Sequence, residues 1–345
     1  MKPHPFLFPF ALIYGLVVSL RNLLFDVGII KSTDIGIPVV SIGNITTGGT
    51  GKTPIVIDTV KVFLHAGKKV AVISRGYGRK TSGTIVVSDG SQIYADVSSG
   101  GDEPVQIAKQ LREAIVIADE NRVRGALKAV KDFGAEVIVL DDGFQHRYIK
   151  RTMDVVLINP NQLPTETMLL PAGYRREPMN SLKRADAIVV TKSINLNEAE
   201  VALHSLRINL QQRSFTSTYQ PSGIRHLFGD IAQSTEILKG HTAVAFCGIA
   251  APDGFRKSLE SCGIEVKQFF IFGDHHQYSS MEVEKIVLAF EQSKADFILT
   301  TEKDAVRLAG FRGQLQTLPV SALMMEVTMH RENAWRSYLL SGLAI

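Results

Sequence analysis

Pro38-Val39-Val40-Ser41-Ile42-Gly43-Asn44-Ile45-Thr46-Thr47-Gly48-Gly49-Thr50-Gly51-Lys52-Thr53 decides the fold. Residues 38–43 read as a buried strand, because a short apolar run bounded by turn residues suits the interior of a sheet. A glycine-rich bend follows, and a helix is predicted from about Lys52 to His65. Strand, bend, Gly-Lys-Thr and helix together form the context of a phosphate-binding P-loop. Glycines let successive N–H groups turn into one concavity, and the start of the helix adds its positive end, so a polyphosphate is stabilised there. Thr46, Thr47, Gly48, Gly49, Thr50, Gly51, Lys52 and Thr53 are therefore candidate ATP-binding residues. Lys52 is expected between the β- and γ-phosphates, and Thr53 on a Mg²⁺ ion.

Beyond this stretch, short apolar runs alternate with helical segments. Lys69–Ser74, Ala114–Ala118, Glu136–Leu140, Asp154–Ile158 and Ala187–Val190 read as strands, and Thr84–Ser88 with Gln92–Tyr94 as a hairpin insertion. The alternation breaks near residues 200–225 and then resumes, with strands at Thr242–Phe246, Glu265–Phe270 and Asp296–Thr300. The expected class is α/β: a P-loop-containing parallel sheet with helices on both faces, a second, smaller α/β domain, and an N-terminal apolar helix. The expected domains are residues 1–30 (the apolar helix), 31–210 (the P-loop domain) and 211–345, whose final segment is a candidate to return to the P-loop domain.

Composition narrows the class. The chain has 345 residues, 45% hydrophobic and 21% charged, which excludes a disordered tail or a fibre. A net charge of +4 is too mild to imply nucleic-acid binding. Cys247 and Cys262 form no disulfide framework and no four-cysteine zinc site, as expected in a reducing compartment.

From Pro5 to Leu20 no residue is charged, and Leu23, Leu24 and Phe25 extend the run beyond Arg21. It falls slightly short of the ~20 apolar residues that span a bilayer. Two readings follow: a core helix, or a helix lying in a membrane surface with Lys2, Arg21 and Lys31 near lipid phosphates.

Polar strings gather at the predicted strand ends, where open parallel sheets bind ligands. Val137-Ile138-Val139-Leu140-Asp141-Asp142 supplies the acidic partner that a P-loop enzyme needs. Adjacent acids on a strand point to opposite sides, so one of Asp141 and Asp142 is expected at the metal and the other on a neighbour. Ser74-Arg75-Gly76-Tyr77-Gly78-Arg79 offers arginines for transferring phosphate charge. Gly101-Asp102-Glu103-Pro104 opens a helix, so Asp102 is a candidate general base or simply a helix cap. Glu103 joins Thr53, Asp141 and Asp142 as candidate metal ligands. Phe272-Gly273-Asp274-His275-His276 lacks zinc-ligand spacing and suits a histidine that assists an acid or contacts phosphate. Thr300-Thr301-Glu302-Lys303-Asp304 ends a strand and starts a helix; it is similar to a base-reading N-K-x-D loop at a different spacing, and reads equally as a helix cap. Leu170–Pro178 carries Arg175 and Arg176, a pair able to hold a second phosphate.

The Gly48-Gly49 bend resembles that of the partitioning and arsenite-pump ATPases, but Thr47 stands where that subgroup carries a lysine. Taken together, Gly43–Pro54, Ser74–Gly78, Gly101–Pro104, Asp141–His146, Leu170–Pro178, Asp274–His276 and Thr301–Asp304 resemble the tetraacyldisaccharide 4'-kinase family of lipid A biosynthesis. The resemblance implies transfer of the γ-phosphate of ATP to the 4'-hydroxyl of a tetraacyldisaccharide 1-phosphate, giving lipid IVA. It also implies a location at the cytosolic face of the inner membrane, a membrane-associated N-terminal helix, and no obligate protein partner. Asp102 with His275 is similar to the family's acid–base pair, with His276 the alternative histidine, and Lys52 and Arg75 stand at the transferring phosphate. Asn44, Tyr77, His146, Arg175, Arg176 and His276 are the implied substrate contacts. The family's second domain closes over nucleotide. The competing expectations are a membrane-associated ATPase switch of the partitioning type and a non-catalytic nucleotide-gated scaffold.

Overall fold

A long apolar helix, α1 (Phe8–Asp26), precedes the first strand, β1 (Val39–Gly43), in the computed structural model, which describes residues 4–193, 196–206, 213–229 and 231–343. Lys2 and the boundary expected at residue 210 lie outside the described residues. Contacts divide the chain into two units, Met1–Tyr219 with Val327–Ile345, and Gln220–Glu326.

In the first unit β1 leads through the glycine-rich bend into α2 (Lys52–His65), then β2 (Val70–Ser74) and β3 (Ile85–Asp89). The short α3 (Val97–Gly100), α4 (Asp102–Gln110), β4 (Ile115–Ala118), α5 (Arg122–Phe133), β5 (Val137–Asp141), β6 (Met153–Ile158), β7 (Ala187–Val190) and α6 (Leu196–Ser205) follow. The strand β8 (Arg213–His226) begins in this unit. Strand order is β8-β7-β6-β1-β5-β2-β4-β3, parallel throughout except for β3 against β4. Every residue of β1, β2, β4, β5, β6 and β7 is buried, which is why these strands read as nearly unbroken apolar runs rather than alternating ones. Ile138 and Leu140 of β5 join Ala126 and Ala129 of α5 in one cluster. The period of two sends Val137, Val139 and Asp141 to the opposite face, where α2 packs.

The second unit holds the far end of β8, β9 (Ala232–Gln233), β10 (Thr242–Cys247), α7 (Pro252–Ser261), β11 (Glu265–Ile271), α8 (Ser280–Ser293), β12 (Phe297–Thr301), α9 (Glu302–Arg307) and α10 (Arg312–Leu315). It also contains most of β13 (Val320–Met329), and its parallel strands run β11-β10-β12-β13. After β13 the chain belongs to the first unit again. There α11 (Glu332–Ser341) buries Trp335, whose indole Nε1–H donates to Asp58 Oδ2 of α2 at 2.8 Å.

The helix α1 inverts the usual amphipathic rule. Its buried residues are Ala11, Gly15, Val18, Asn22 and Phe25, mostly small or polar, whereas Phe8, Phe10, Leu12, Ile13, Leu16, Val17, Leu20 and Leu23 are exposed. Close approach explains the small residues: a Cβ on Gly15 would stand 2.7 Å from Leu169. Asn22 donates to Glu177 at 2.9 Å, and the Tyr14 hydroxyl donates to the Arg176 carbonyl at 2.9 Å. The core-helix reading therefore fails for the outer face, which is a continuous apolar surface.

Candidate active site

The bend between β1 and α2 is held from outside. Gly48 and Gly51 have φ of 116° and 79°, the left-handed region that glycine tolerates. Asn44 Nδ2 donates to Thr50 Oγ1 at 2.8 Å in the buried interior of the loop. The segment after β6 lies along one flank: Thr46 bridges Arg175, and Arg176 N–H donates to the Ile45 carbonyl at 2.7 Å. The exit of β7 holds the other flank. There Thr191 Oγ1 donates to the Thr50 carbonyl at 2.7 Å, and Lys192 Nζ donates to the Gly49 carbonyl at 2.9 Å. Carbonyls fixed outward in this way set the peptide planes of an anion cradle.

The carboxylates stand next to the cradle because β5 is paired directly with β1. Asp141, at the last position of β5, is fully buried and accepts from Ser74 Oγ at 2.9 Å through Oδ2, while Oδ1 has no hydrogen-bond partner. Burial, then the charges of Glu103 and Asp142, hold its carboxyl well above the ordinary range. Asp142 has φ 53° and so has left the strand. Burial acts to raise its pKa, but the Lys52 and Arg176 cations outweigh it and hold the group ionised below the ordinary value. Lys52 Nζ lies 3.7 Å from Asp142 Oδ1, and Arg176 Nη1 lies 2.7 Å from Oδ2. The two acids are separated by this turn, and not only by strand alternation as the sequence implied.

Asp102 is the first residue of α4, and the cap position is Gly101. Its carboxylate is buried and accepts the Glu103 N–H at 2.9 Å. Gly101 and Gly76, with φ of 90° and 65°, press together: a Cβ on Gly101 would meet Gly76 Cα at 2.8 Å. That contact joins the Arg75–Tyr77 loop to the start of α4. Tyr77 is exposed.

Arg122, the first residue of α5, escaped the sequence reading. It is buried, its environment contains Asp141, Asp142 and Arg75, and burial leads the effects that lower its pKa. Ser74 and Lys192 were likewise not assigned roles. Ser74 ends β2, Lys192 follows β7 and Arg122 opens the helix after β4, so all three lie toward the carboxyl ends of strands, but no local pattern singles them out. His146 is pushed down to about 4 by burial and then by Arg122, Arg151, Arg21 and Arg75, and its Nε2 has no hydrogen-bond partner. It is a neutral ring set among cations. Arg175 is half-buried beside the loop through its backbone.

Among the described residues no group of three or more His, Cys, Asp or Glu side chains is arranged to hold a metal alone. A divalent ion fits differently. Mg²⁺ is held by one or two carboxylates completed by phosphate oxygens. The unpartnered Asp141 Oδ1, with the charges of Asp142 and Glu103 acting on it, matches that donor set, and Thr53 is the neighbour in sequence of Lys52, whose Nζ lies 3.7 Å from Asp142.

The second unit separates the two histidines. His276 Nε2 lies 3.0 Å from Glu282 Oε1, and its ring stacks on Phe272 at 4.8 Å, so it supports the start of α8. His275, with φ 58°, points its ring to other partners.

A family model described as tetraacyldisaccharide-1-P 4'-kinase matches residues 3–344. The chain is 42% identical over 305 residues to the tetraacyldisaccharide 4'-kinase of Chlorobaculum parvum, covering 87% of this chain and 83% of that one. It is 37% identical over 317 residues to that of Geobacter metallireducens, covering 91% of each. The crystal structure of LpxK from Aquifex aeolicus in complex with ATP superposes with a TM-score of 0.81 at 33% identity, covering 98% of both chains.

Proposed function

The chain belongs to the tetraacyldisaccharide-1-P 4'-kinase family and is a kinase, and from that premise we propose that it moves the γ-phosphate of ATP to the 4'-hydroxyl of a tetraacyldisaccharide 1-phosphate, giving lipid IVA at a membrane surface. The observation that carries this reading is the meeting of Lys52 and Asp142 at 3.7 Å beside the buried Asp141, at the mouth of the glycine-rich bend. The ATP complex of the Aquifex aeolicus relative supports the nucleotide.

Phosphoryl transfer needs positioning and charge stabilisation more than covalent chemistry. In this proposal the amides of residues 46–53 and Lys52 hold the phosphate tail. Asp141, Asp142, Glu103 and Thr53 are the residues that would hold Mg²⁺, which when bound neutralises phosphate charge. Arg75 and the buried Arg122 add positive charge on the same side of the sheet. Asp102 accepts the hydroxyl proton of the acceptor, and His275, carried by the second unit, assists it. Asn44, Tyr77, His146, Arg175 and Arg176 surround the acceptor, although Asn44 and Arg176 already serve the loop. The outer face of α1 sets the cleft at the head-group plane of the inner membrane, so the acyl chains need not enter water. A second domain closing over the nucleotide excludes water that would otherwise hydrolyse ATP.

The test is transfer of label from γ-labelled ATP to a glycolipid acceptor. Asp102→Ala is expected to lower turnover by about 10²–10⁴. Near-wild-type turnover by that variant would remove Asp102 from the mechanism, and absence of any labelled glycolipid with the wild-type chain would remove the substrate.

A further inference from the structure

The turn after β2 carries two arginines, Arg75 and Arg79, and only Arg75 has been given a task. Their surroundings differ. Arg75 is exposed, so its guanidinium stands where the backbone that carries it puts it. Arg79 keeps only 5% of its side chain exposed. Between the two the chain reverses: Gly76 and Gly78 have φ of 65° and 77°, and the Arg79 N–H donates to the Gly76 carbonyl at 3.2 Å. The Arg79 side chain folds back against this turn, and a Cβ on Gly76 would stand 2.8 Å from its Cδ.

The Arg79 guanidinium reaches the exit of β4, the strand paired with β2. Nη1 donates to the Ala118 carbonyl at 2.9 Å, and Nη2 donates to the Gly83 carbonyl at 2.7 Å and pairs with Glu120 Oε2. Glu120 Oε1 in turn accepts the Gly83 N–H at 2.9 Å and Arg124 Nη2 at 3.1 Å. Its own amide, the Gly83 amide and the Arg124 and Arg79 cations push this carboxyl down to about 2, against the effect of burial, so it is charged wherever the enzyme is assayed. The next residues are fastened on another side: the Lys80 N–H donates to the Ser98 carbonyl at 2.8 Å, and Thr81 Oγ1 to the Ser99 carbonyl at 2.6 Å. A planar fork that serves carbonyls on two separate stretches of chain and a carboxylate fixes those stretches relative to each other. All of these residues belong to the first unit, as do Arg75, Lys52 and Asp141.

We propose that Arg79, held by Glu120, is a positioning residue that fixes the Gly76–Gly78 turn and thereby sets where Arg75 presents its charge to the transferring phosphate. This rests on the reading of Arg75 as a group at that phosphate. A cation stabilises a transition state most when it is already in place, because a loose one has to be ordered during the step. The two arginines of the string thus divide the work: Arg79 braces the loop, and Arg75 meets the phosphate.

The experiment is a double-mutant cycle in the full-length protein, reading kcat for glycolipid phosphorylation and KM for Mg-ATP. Arg79→Met keeps the aliphatic stem and loses the fork. It is expected to lower kcat about tenfold, within the ~10²-fold that a misplacement of about 1 Å can cost, with KM for ATP changed less than about twofold. Arg79→Lys keeps the charge without the fork and is expected to recover only part of the loss. Glu120→Gln leaves an oxygen for the Gly83 N–H and is expected to lose about threefold in kcat, the scale of a weakened charge-assisted hydrogen bond. In an Arg75→Ala background, Arg79→Met and Glu120→Gln are each expected to cost less than about twofold more, because residues that act through one another are not additive. If either change costs the same with Arg75 absent, Arg79 does not act through Arg75 and the proposal is overturned. Wild-type kcat in a folded Arg79→Met overturns it as well. Where Arg79→Met does not fold, Glu120→Gln carries the cycle alone. Wild-type kcat in Arg75→Ala overturns instead the underlying reading of Arg75.

Discussion

Arg176 and Lys52 grip the two oxygens of one carboxylate: Arg176 Nη1 lies 2.7 Å from Asp142 Oδ2, and Lys52 Nζ lies 3.7 Å from Oδ1. Arg176 also donates its backbone N–H to the Ile45 carbonyl, so the segment after β6 is coupled twice to the glycine-rich loop and its neighbours. Arg176→Ala is expected to raise KM for Mg-ATP by about tenfold, the scale of one charge-assisted hydrogen bond. If KM for the glycolipid rises and that for ATP does not, Arg176 contacts the acceptor instead.

Neither Gly101, pressed on Gly76, nor Gly76, pressed on the Gly100 carbonyl, has room for a side chain. Gly101→Ala combines a left-handed φ of 90° with a 2.8 Å approach to Gly76 Cα. Strain of about 1–3 kcal/mol is expected from such a backbone position alone. The variant is expected to melt several degrees lower and to lose most of its turnover, because the Arg75 loop and Asp102 separate. A folded variant of undiminished kcat would show that this contact is dispensable to the site.

Much of the first unit was legible because its strands are short, mostly apolar and separated by helices. Lys52–His65 forms the helix the sequence predicts, and β5 delivers Asp141 where a strand end was expected. Arg122 was not legible, since Asn121-Arg122-Val123-Arg124 reads as an ordinary capped, solvated helix start. Its meaning comes from burial beside Asp141 and Asp142. Lys192 was hidden in the same way, because its bond to Gly49 joins residues brought together by strand order rather than by spacing. The pairing of Trp335 with Asp58 spans 277 residues and depends on the chain returning from the second unit. No local pattern carries that information.

Asp58 gives a pH-dependence with a definite sign. Burial is the largest influence and raises its pKa, against the opposing Trp335 hydrogen bond and Lys61 charge. The folded state therefore holds this proton more tightly than the unfolded chain. Its contribution favours folding below the ordinary carboxylate pKa and is lost as pH rises through the raised value. Asp58→Asn keeps an oxygen for the Trp335 N–H and removes the buried charge. Relative to wild type, its Tm is expected to increase as pH goes from 4 to 7. A difference that shrinks over that interval would contradict the assignment.

The outer face of α1 is best tested without deleting the helix. Removing it would expose the surface that covers Glu177 and Leu169, and a loss of membrane binding would then be confounded with unfolding. Leu12, Leu16 and Leu20 are all more than half exposed and make no part of the buried stripe of Ala11, Gly15, Val18, Asn22 and Phe25. Each leucine buried in lipid contributes about 1.5–3 kcal/mol at most, so three together can decide partitioning. The triple change Leu12→Ser, Leu16→Ser, Leu20→Ser is expected to leave Tm within a few degrees of wild type. It is also expected to move most of the protein from the pellet to the supernatant when mixed with phospholipid vesicles at moderate salt. Turnover on a micellar or vesicle-borne glycolipid should fall through KM, while ATP binding stays unchanged. Equal sedimentation of wild type and variant would mean that the apolar face meets something other than lipid.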